Sequence, residues 1–313
     1  MASFPRTGFT AWAGSVEELC VLIDALQPLA CSLGAPDPES EDWHGVLFGK
    51  LRPQVSREPL LVAAVCGGTN TGKSLITNTL VAAEISRSVP EAARTRHPVA
   101  SLPQGLAART DLAALFPGFA LAPWQSVQDA IDLGPDATGN ADRLVWREDT
   151  SGRQPARLVL LDTPDIDGTL RENWHRAELV RNACDVIVAV LTQQKYNDAA
   201  VRDFFAAAAA AGKAVVVVFN MIDWPRQRDR IGGWLATFTA ETGVTPLAAY
   251  AVPHDFRAAE VGRIEFHPLP ELTPDGAAVD LAVRLADCDF DSIKLQAMEG
   301  ALRVVLDPKT GAG

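Results

Sequence analysis

The sequence predicts a three-layer α/β fold, a mostly parallel sheet between two layers of helices, with helical segments before and after it. Leu60–Cys66, Leu158–Leu161, Val186–Leu191, Ala214–Phe219 and Leu247–Val252 are short continuous apolar runs, most of them rich in Val, Ile or Leu. Helical patterns lie between them, and buried runs alternating with helices signal a parallel sheet covered on both faces. The first run leads directly into a glycine-rich loop, Gly67-Gly68-Thr69-Asn70-Thr71-Gly72-Lys73-Ser74, followed by a helical pattern from Leu75 to about Ala83.

Taken in order, residues 1–58 form a helical preface. Ser15 followed by Glu18 reads as a capping box, and Val16, Leu19, Cys20, Leu22, Ile23 and Leu26 give one apolar face after it. Gly34–Pro38 breaks that helix. A second helix is predicted from about Glu41 to Leu51, with Trp43, Val46, Leu47 and Leu51 inward and Pro53 as its stop. Residues 59–255 hold the alternating strands and helices. Arg143–Glu148 alternates weakly and reads as an antiparallel edge strand. Ala206–Ala211 reads as a helix stopped by Gly212. Residues 256–313 return to helix at Asp275–Leu285 and Asp291–Leu302, after a Pro-rich linker, His267–Pro274.

Composition narrows the function. The chain has 313 residues and a net charge of -11, which argues against a broad nucleic-acid or anionic-membrane surface. Its five Cys are widely spaced without a CxxC, and its five His show no metal-ligand spacing, so a disulfide scaffold or zinc site is not expected. No long uncharged apolar stretch exists, and the N-terminus lacks the pattern of a signal peptide. A soluble, reducing, cytoplasmic setting is the expectation.

The glycine-rich loop is G-x-x-x-x-G-K-S between a strand and a helix, the context of a phosphate-binding loop. Its glycines let the backbone curl so that N–H groups face phosphate oxygens, with the helix N-terminus behind them. Lys73 would reach the outer phosphates, and the Ser74 hydroxyl is a hard oxygen ligand for Mg2+. Leu158–Leu161 ends in Asp162, a carboxylate able to hold Mg2+ through water from the adjacent strand. The later strand ends in Asn220-Met221-Ile222-Asp223. Asp223 can accept from guanine N1–H and its 2-amino group together. Adenine offers a lone pair there and leaves the carboxylate unpaired, which disfavours an ATPase or small-molecule kinase. Asn220 either braces the phosphate loop or approaches base N7.

This order of motifs resembles the P-loop GTPases of the translation-factor-related class, in particular their Era-like and dynamin-like members, over about residues 59–255. The resemblance implies the three-layer P-loop NTPase fold of a G domain. It also implies GTP and GDP as ligands with Mg2+ as cofactor. Gly67–Ser74 is similar to the first family motif, Asp162–Asp165 to the third and Asn220–Asp223 to the fourth. It further implies Thr95, in Ala93–Pro98, as the switch residue that joins Mg2+ and the γ-phosphate, and a backbone N–H at Ala251, in Tyr250–Val252, for the guanine carbonyl.

The sequence departs from the family at named positions. The third motif reads D-x-x-G in the family, and Asp165 stands where its Gly gives an N–H to the γ-phosphate. Gly168 lies three residues on. Ile166 stands where Ras-like relatives carry the water-orienting Gln, so low intrinsic turnover is expected. Met221 replaces the Lys that packs on the base. Asn70 either stabilises the loop or, as in relatives that dimerise through their nucleotide faces, helps bind K+ as a positive charge beside the phosphates. Lys73, Thr95 and Asn70 are thus the catalytic expectations, with Arg94 and Arg96 as alternative arginine fingers. Gln193–Asp198 follows the fourth core strand, Val186–Leu191, and is expected near the nucleotide side of the sheet, as a partner-facing loop or, more plainly, as helix capping by Asn197 or Asp198. Two functions follow: a GTP-hydrolysing switch or dynamin-like mechanical GTPase, and a nucleotide-dependent interaction module that scarcely hydrolyses. A nucleotide-dependent homodimer is compatible with both. The flanking helices lack the basic amphipathic pattern that peripheral membrane contact would favour.

Overall fold

The structure, a computed structural model, describes residues 9–55, 60–87, 95–131, 142–167, 171–255, 257, 261–288 and 290–307. Its longer helices are α1 (Phe9–Ser32), α2 (Lys73–Val81), α3 (Arg171–Ala183), α4 (Ala199–Ala210), α5 (Ile231–Thr242), α6 (Leu281–Ala286) and α7 (Phe290–Val305). The strands are β1 (Leu61–Gly67), β2 (Val99–Leu102), β3 (Ala120–Pro123), β4 (Arg143–Glu148), β5 (Leu158–Asp162), β6 (Val186–Leu191), β7 (Ala214–Ile222), β8 (Pro246–Pro253) and β9 (His267–Pro268). Two compact units result: Leu60–Cys288, and Met1–Pro59 with Asp289–Gly313.

The larger unit is built on a nine-stranded sheet in the order β3-β4-β2-β5-β1-β6-β7-β8-β9. Pairing is parallel except between β2 and β5 and between β8 and β9. Every residue of β1, β5 and β6 is buried, as expected of strands covered on both faces. This is why their sequences are continuous apolar runs. Arg143–Glu148 is a strand but not an edge. It pairs in parallel with both β2 and β3, and β3 takes the outer position. The predicted Pro-rich linker is also part of the sheet. His267 and Pro268 pair with Ala251 and Tyr250, and residues 270–272 form a 3-10 turn. Helix α6 begins only at Leu281, capped by Asp280 accepting from the Ala282 and Val283 amides. Residues 256–288, expected to belong with the C-terminal helical segment, therefore supply β9 and α6 to the α/β unit.

Helix α4 shows how the covering layer is held. Asp198 caps it by accepting from the Ala200 amide, and its small residues let the helix lie close to the sheet. Phe205 is fully buried and meets Phe204 and Phe238, the latter on α5, edge-on at 5.2 and 5.3 Å. Phe205→Ala is expected to cost about 3–5 kcal/mol, measured as a lower urea midpoint at unchanged slope.

The helical unit joins both ends of the chain. Val16 and Cys20 of α1, Leu47 and Leu51, and Met298 and Val305 of α7 form one buried cluster. Arg52 pairs with Glu17 at 3.2 Å and with Asp24 at 3.5 Å. Two expectations change here. Ser15 does not start α1, because the helix already runs from Phe9 and the Ser15 hydroxyl donates back to the Ala11 carbonyl. Pro53 does not end the second helix. A π-helical stretch, Gly45–Leu51, passes directly into a last turn, Arg52–Val55, that contains Pro53. Among the described residues no helix is long and apolar enough to cross a membrane.

Candidate functional site

Strands β1, β5, β6, β7 and β8 run parallel, so their carboxyl ends share one edge of the sheet, where open α/β sheets bind ligands. The phosphate loop leaves β1 at that edge and α2 starts at Lys73. Gly67 packs so closely that an added Cβ would press on the Val190 carbonyl oxygen. Gly72 has φ 87°, and a Cβ there would run into the Asn220 amide. Asn70 takes a left-handed φ of 57° at the exposed tip, a conformation Asn tolerates better than most residues.

Three oxygen-bearing side chains converge beside the loop. The Ser74 hydroxyl donates to Asp162 Oδ2 at 2.9 Å and lies 3.3 Å from Thr95 Oγ1. Thr95 comes from a distant segment, and the sheet explains its arrival. Strand β2 is antiparallel to β5 with Val99 opposite Asp162, so the residues just before β2 fall at the carboxyl edge. Thr77, one turn along α2, donates to Asp162 Oδ1 at 3.1 Å. Asp162 is fully buried. Burial pushes its carboxyl up, against the Ser74 hydroxyl and the nearby Lys73. Two hydroxyls and a buried carboxylate are hard oxygen donors suited to Mg2+, and a divalent cation would hold that carboxylate as its anion.

Lys73 is buried at 6% exposure. Its Nζ donates to the Gly68 carbonyl at 2.8 Å and to Asp165 Oδ1 at 2.7 Å. Asn220 is also buried. It donates from Nδ2 to the Thr71 carbonyl at 2.7 Å and so braces the loop, and the second N–H of that amide is a further donor. Met221, beside it, has φ 59° and is half-exposed. Asp223 opens a short turn, Trp224–Gln227, without capping it through its side chain. Its carboxylate makes an exposed pair with Arg226 at 3.3 Å, which leaves it open to solvent. Ala251 is enclosed in the sheet between Phe219 and His267, two residues short of the end of β8. Just beyond that end the His254 amide donates to the Ile222 carbonyl at 3.0 Å, beside Asp223.

One group of contacts has no counterpart among the motif residues. Asp167 Oδ1 accepts from the Thr69 amide at 2.8 Å and the Thr69 hydroxyl at 2.7 Å, and Lys195 Nζ donates to Asp167 Oδ2 at 2.7 Å. Burial pushes the Asp167 carboxyl up, and the bonds from Lys195 and Thr69 outweigh it and hold the group below its ordinary value. Lys195 also pairs with Asp198 at 3.4 Å, so Asp198 caps α4 and faces this clasp at once. The position of Gln193–Asp198 after a parallel strand was the one signal for it. Arg94 and Gly168 lie outside the described residues.

The sequence profile described as 50S ribosome-binding GTPase matches residues 62–221, just over half of the chain. The chain belongs to this GTPase family. Its α/β unit is a P-loop G domain, a fold that binds guanine nucleotides. None of the curated proteins matches it. Among solved structures, the GTPase is similar to Era bound to MgGDPNP and 16S ribosomal RNA nucleotides, at 16% identity over 62% of this chain and 52% of that chain, TM-score 0.38. Arabidopsis thaliana Toc33 with Mg2+ and GMPPNP aligns at 13% identity over 80% and 92%, TM-score 0.39. A bacterial dynamin pair aligns at 12% over 93% and 47%, TM-score 0.43. The G-domain chain thus spans about half the length of the Era and dynamin chains.

Proposed function

We propose that this GTPase binds GTP with Mg2+ and hydrolyses it slowly to GDP, as a switch or a dynamin-like mechanical GTPase. The observation that carries the reading is the meeting of Lys73, Ser74, Thr95 and Asp162 around one phosphate loop. The loop amides and Lys73 bind the phosphates and oppose charge that grows during transfer. Ser74 and Thr95 would hold Mg2+, with Asp162 behind, and the ion would supply positive charge to the phosphates. Asn220 keeps the loop in register, and Asp223 selects guanine. An ordered water attacks the γ-phosphate. Turnover is low because Ile166, buried and without a polar side-chain atom, stands where relatives orient that water. Loss of the γ-phosphate releases Thr95 and the 163–180 region, which is the switch.

The second reading, a GTP- or GDP-binding module without hydrolysis, is favoured by that same Ile166. Single-turnover hydrolysis, with K+ against Na+ and across protein concentrations, separates the two. The enzyme reading expects turnover above the uncatalysed rate. Stimulation by K+ would assign Asn70 to a cation site, and a rate that climbs with protein concentration would assign a homodimer. Binding with turnover at the uncatalysed rate under every condition sinks the enzyme reading and leaves the module.

A further inference from the structure

On the nucleotide reading above, the ammonium that would take a phosphate oxygen is paired instead with Asp165. Lys73 is 6% exposed and the Asp165 side chain 21%, so this is no loose surface pair. The loop that carries Asp165 is pinned on both sides. The Thr163 hydroxyl donates to the Val65 carbonyl at 2.8 Å, the Ile166 amide to the Gly67 carbonyl at 3.3 Å, and Asp167 is bonded to Thr69. The carboxylate is therefore preorganised against the ammonium rather than visiting it.

A phosphate oxygen and the Asp165 carboxylate want the same donor. Lys73 has three N–H groups, and two are spent on the Gly68 carbonyl and Asp165. A buried ammonium is costly without an anion, and two anions at one ammonium repel. The favourable arrangements are carboxylate without phosphate, or phosphate with the carboxylate withdrawn. Arg176, nearly buried on α3, lines a small cavity together with Asp165.

We propose that Asp165 is an internal anion that holds Lys73 in the nucleotide-free protein, competes with nucleotide phosphate for it, and returns to it as the phosphates leave. The proposal rests on the nucleotide reading above and adds a regulator built into the third motif. It turns the apparent defect, an Asp where relatives carry Gly, into a device that weakens nucleotide binding and speeds product loss. If Lys73 is free of Asp165 for about a tenth of the time or less, the apparent affinity for nucleotide is lowered about tenfold or more.

The test is equilibrium binding of fluorescent GTP and GDP, with Mg2+, to the wild type and to Asp165→Asn and Asp165→Ala, alongside thermal melts. Both variants are expected to bind about tenfold tighter or better. Without nucleotide they are expected to melt below the wild type, because a buried ammonium has lost its anion, and saturating GTP is expected to raise their melting temperatures by more than that of the wild type. A pair that is merely structural loses stability and binding together. Binding equal to or weaker than wild type in variants that melt cooperatively overturns the role given to Asp165 and leaves the nucleotide reading standing. Failure of all three proteins to bind overturns the nucleotide reading and this proposal with it.

Discussion

Asp223→Asn is expected to move the preference of the protein from GTP toward xanthosine triphosphate by on the order of a hundredfold or more. In the proposed base site the carboxylate would accept from the N1–H and 2-amino donors of guanine. An amide keeps one acceptor and adds a donor, which meets the carbonyl that xanthine carries in place of the amino group. On guanine the same amide faces donor against donor, and a buried unpaired donor costs about 1–3 kcal/mol. The change should cost little in the folded protein, because the Asp223 side chain makes an exposed pair with Arg226 and no capping bond to the turn it opens. Competition of GTP, ATP and xanthosine triphosphate for one bound fluorescent nucleotide measures the shift. Unchanged selectivity rejects the assignment of the base site.

Lys73→Ala is expected to lower single-turnover hydrolysis on the order of a hundredfold or more, with weaker triphosphate binding. The side chain supplies a buried positive charge at the mouth of the loop, and nothing else on α2 reaches the Gly68 carbonyl. Its sign is opposite to that of Asp165→Asn, although each removes one half of the same ion pair. A structural ion pair gives losses on both sides, and a competing one gives loss with Lys73 and gain with Asp165. Activity close to wild type in Lys73→Ala would show that the phosphates are not bound at this loop.

The fold was legible where burial writes itself into contiguous residues. Strands β1, β5, β6, β7 and β8 appear as apolar runs because both faces of each are covered. Strands β2 and β3 have four residues each, and β9 has two, one of them Pro, so no run or alternation long enough to read existed. The misjudged edge at Arg143–Glu148 followed from missing β3. The capping pattern at Ser15 misled because the same residue types occur inside a helix that has already begun.

The candidate site divides in the same way. Gly67–Ser74 is one contiguous segment, so its chemistry is written in its spacing. Asn220 could be read as a brace or a base contact, and the bond to the Thr71 carbonyl shows that the brace is made. Thr95 stood among many threonines, and the antiparallel entry of β2 is what delivers it to Ser74. Asp167 and Lys195 lie 28 residues apart, and their contact with Thr69 is a product of the sheet order alone.

The joining of both chain ends in the helical unit has a thermodynamic consequence. Along the chain, the α/β unit is an insertion: α1 and α7 share one buried cluster although the whole nucleotide domain separates them. To the helical unit that domain is a loop of about 230 residues, yet closure entropy grows only logarithmically, by about 0.6 kcal/mol per doubling of length. The cluster shared by α1 and α7 is therefore compatible with so long an insertion, because four doublings of loop length add only about 2–3 kcal/mol to its closure.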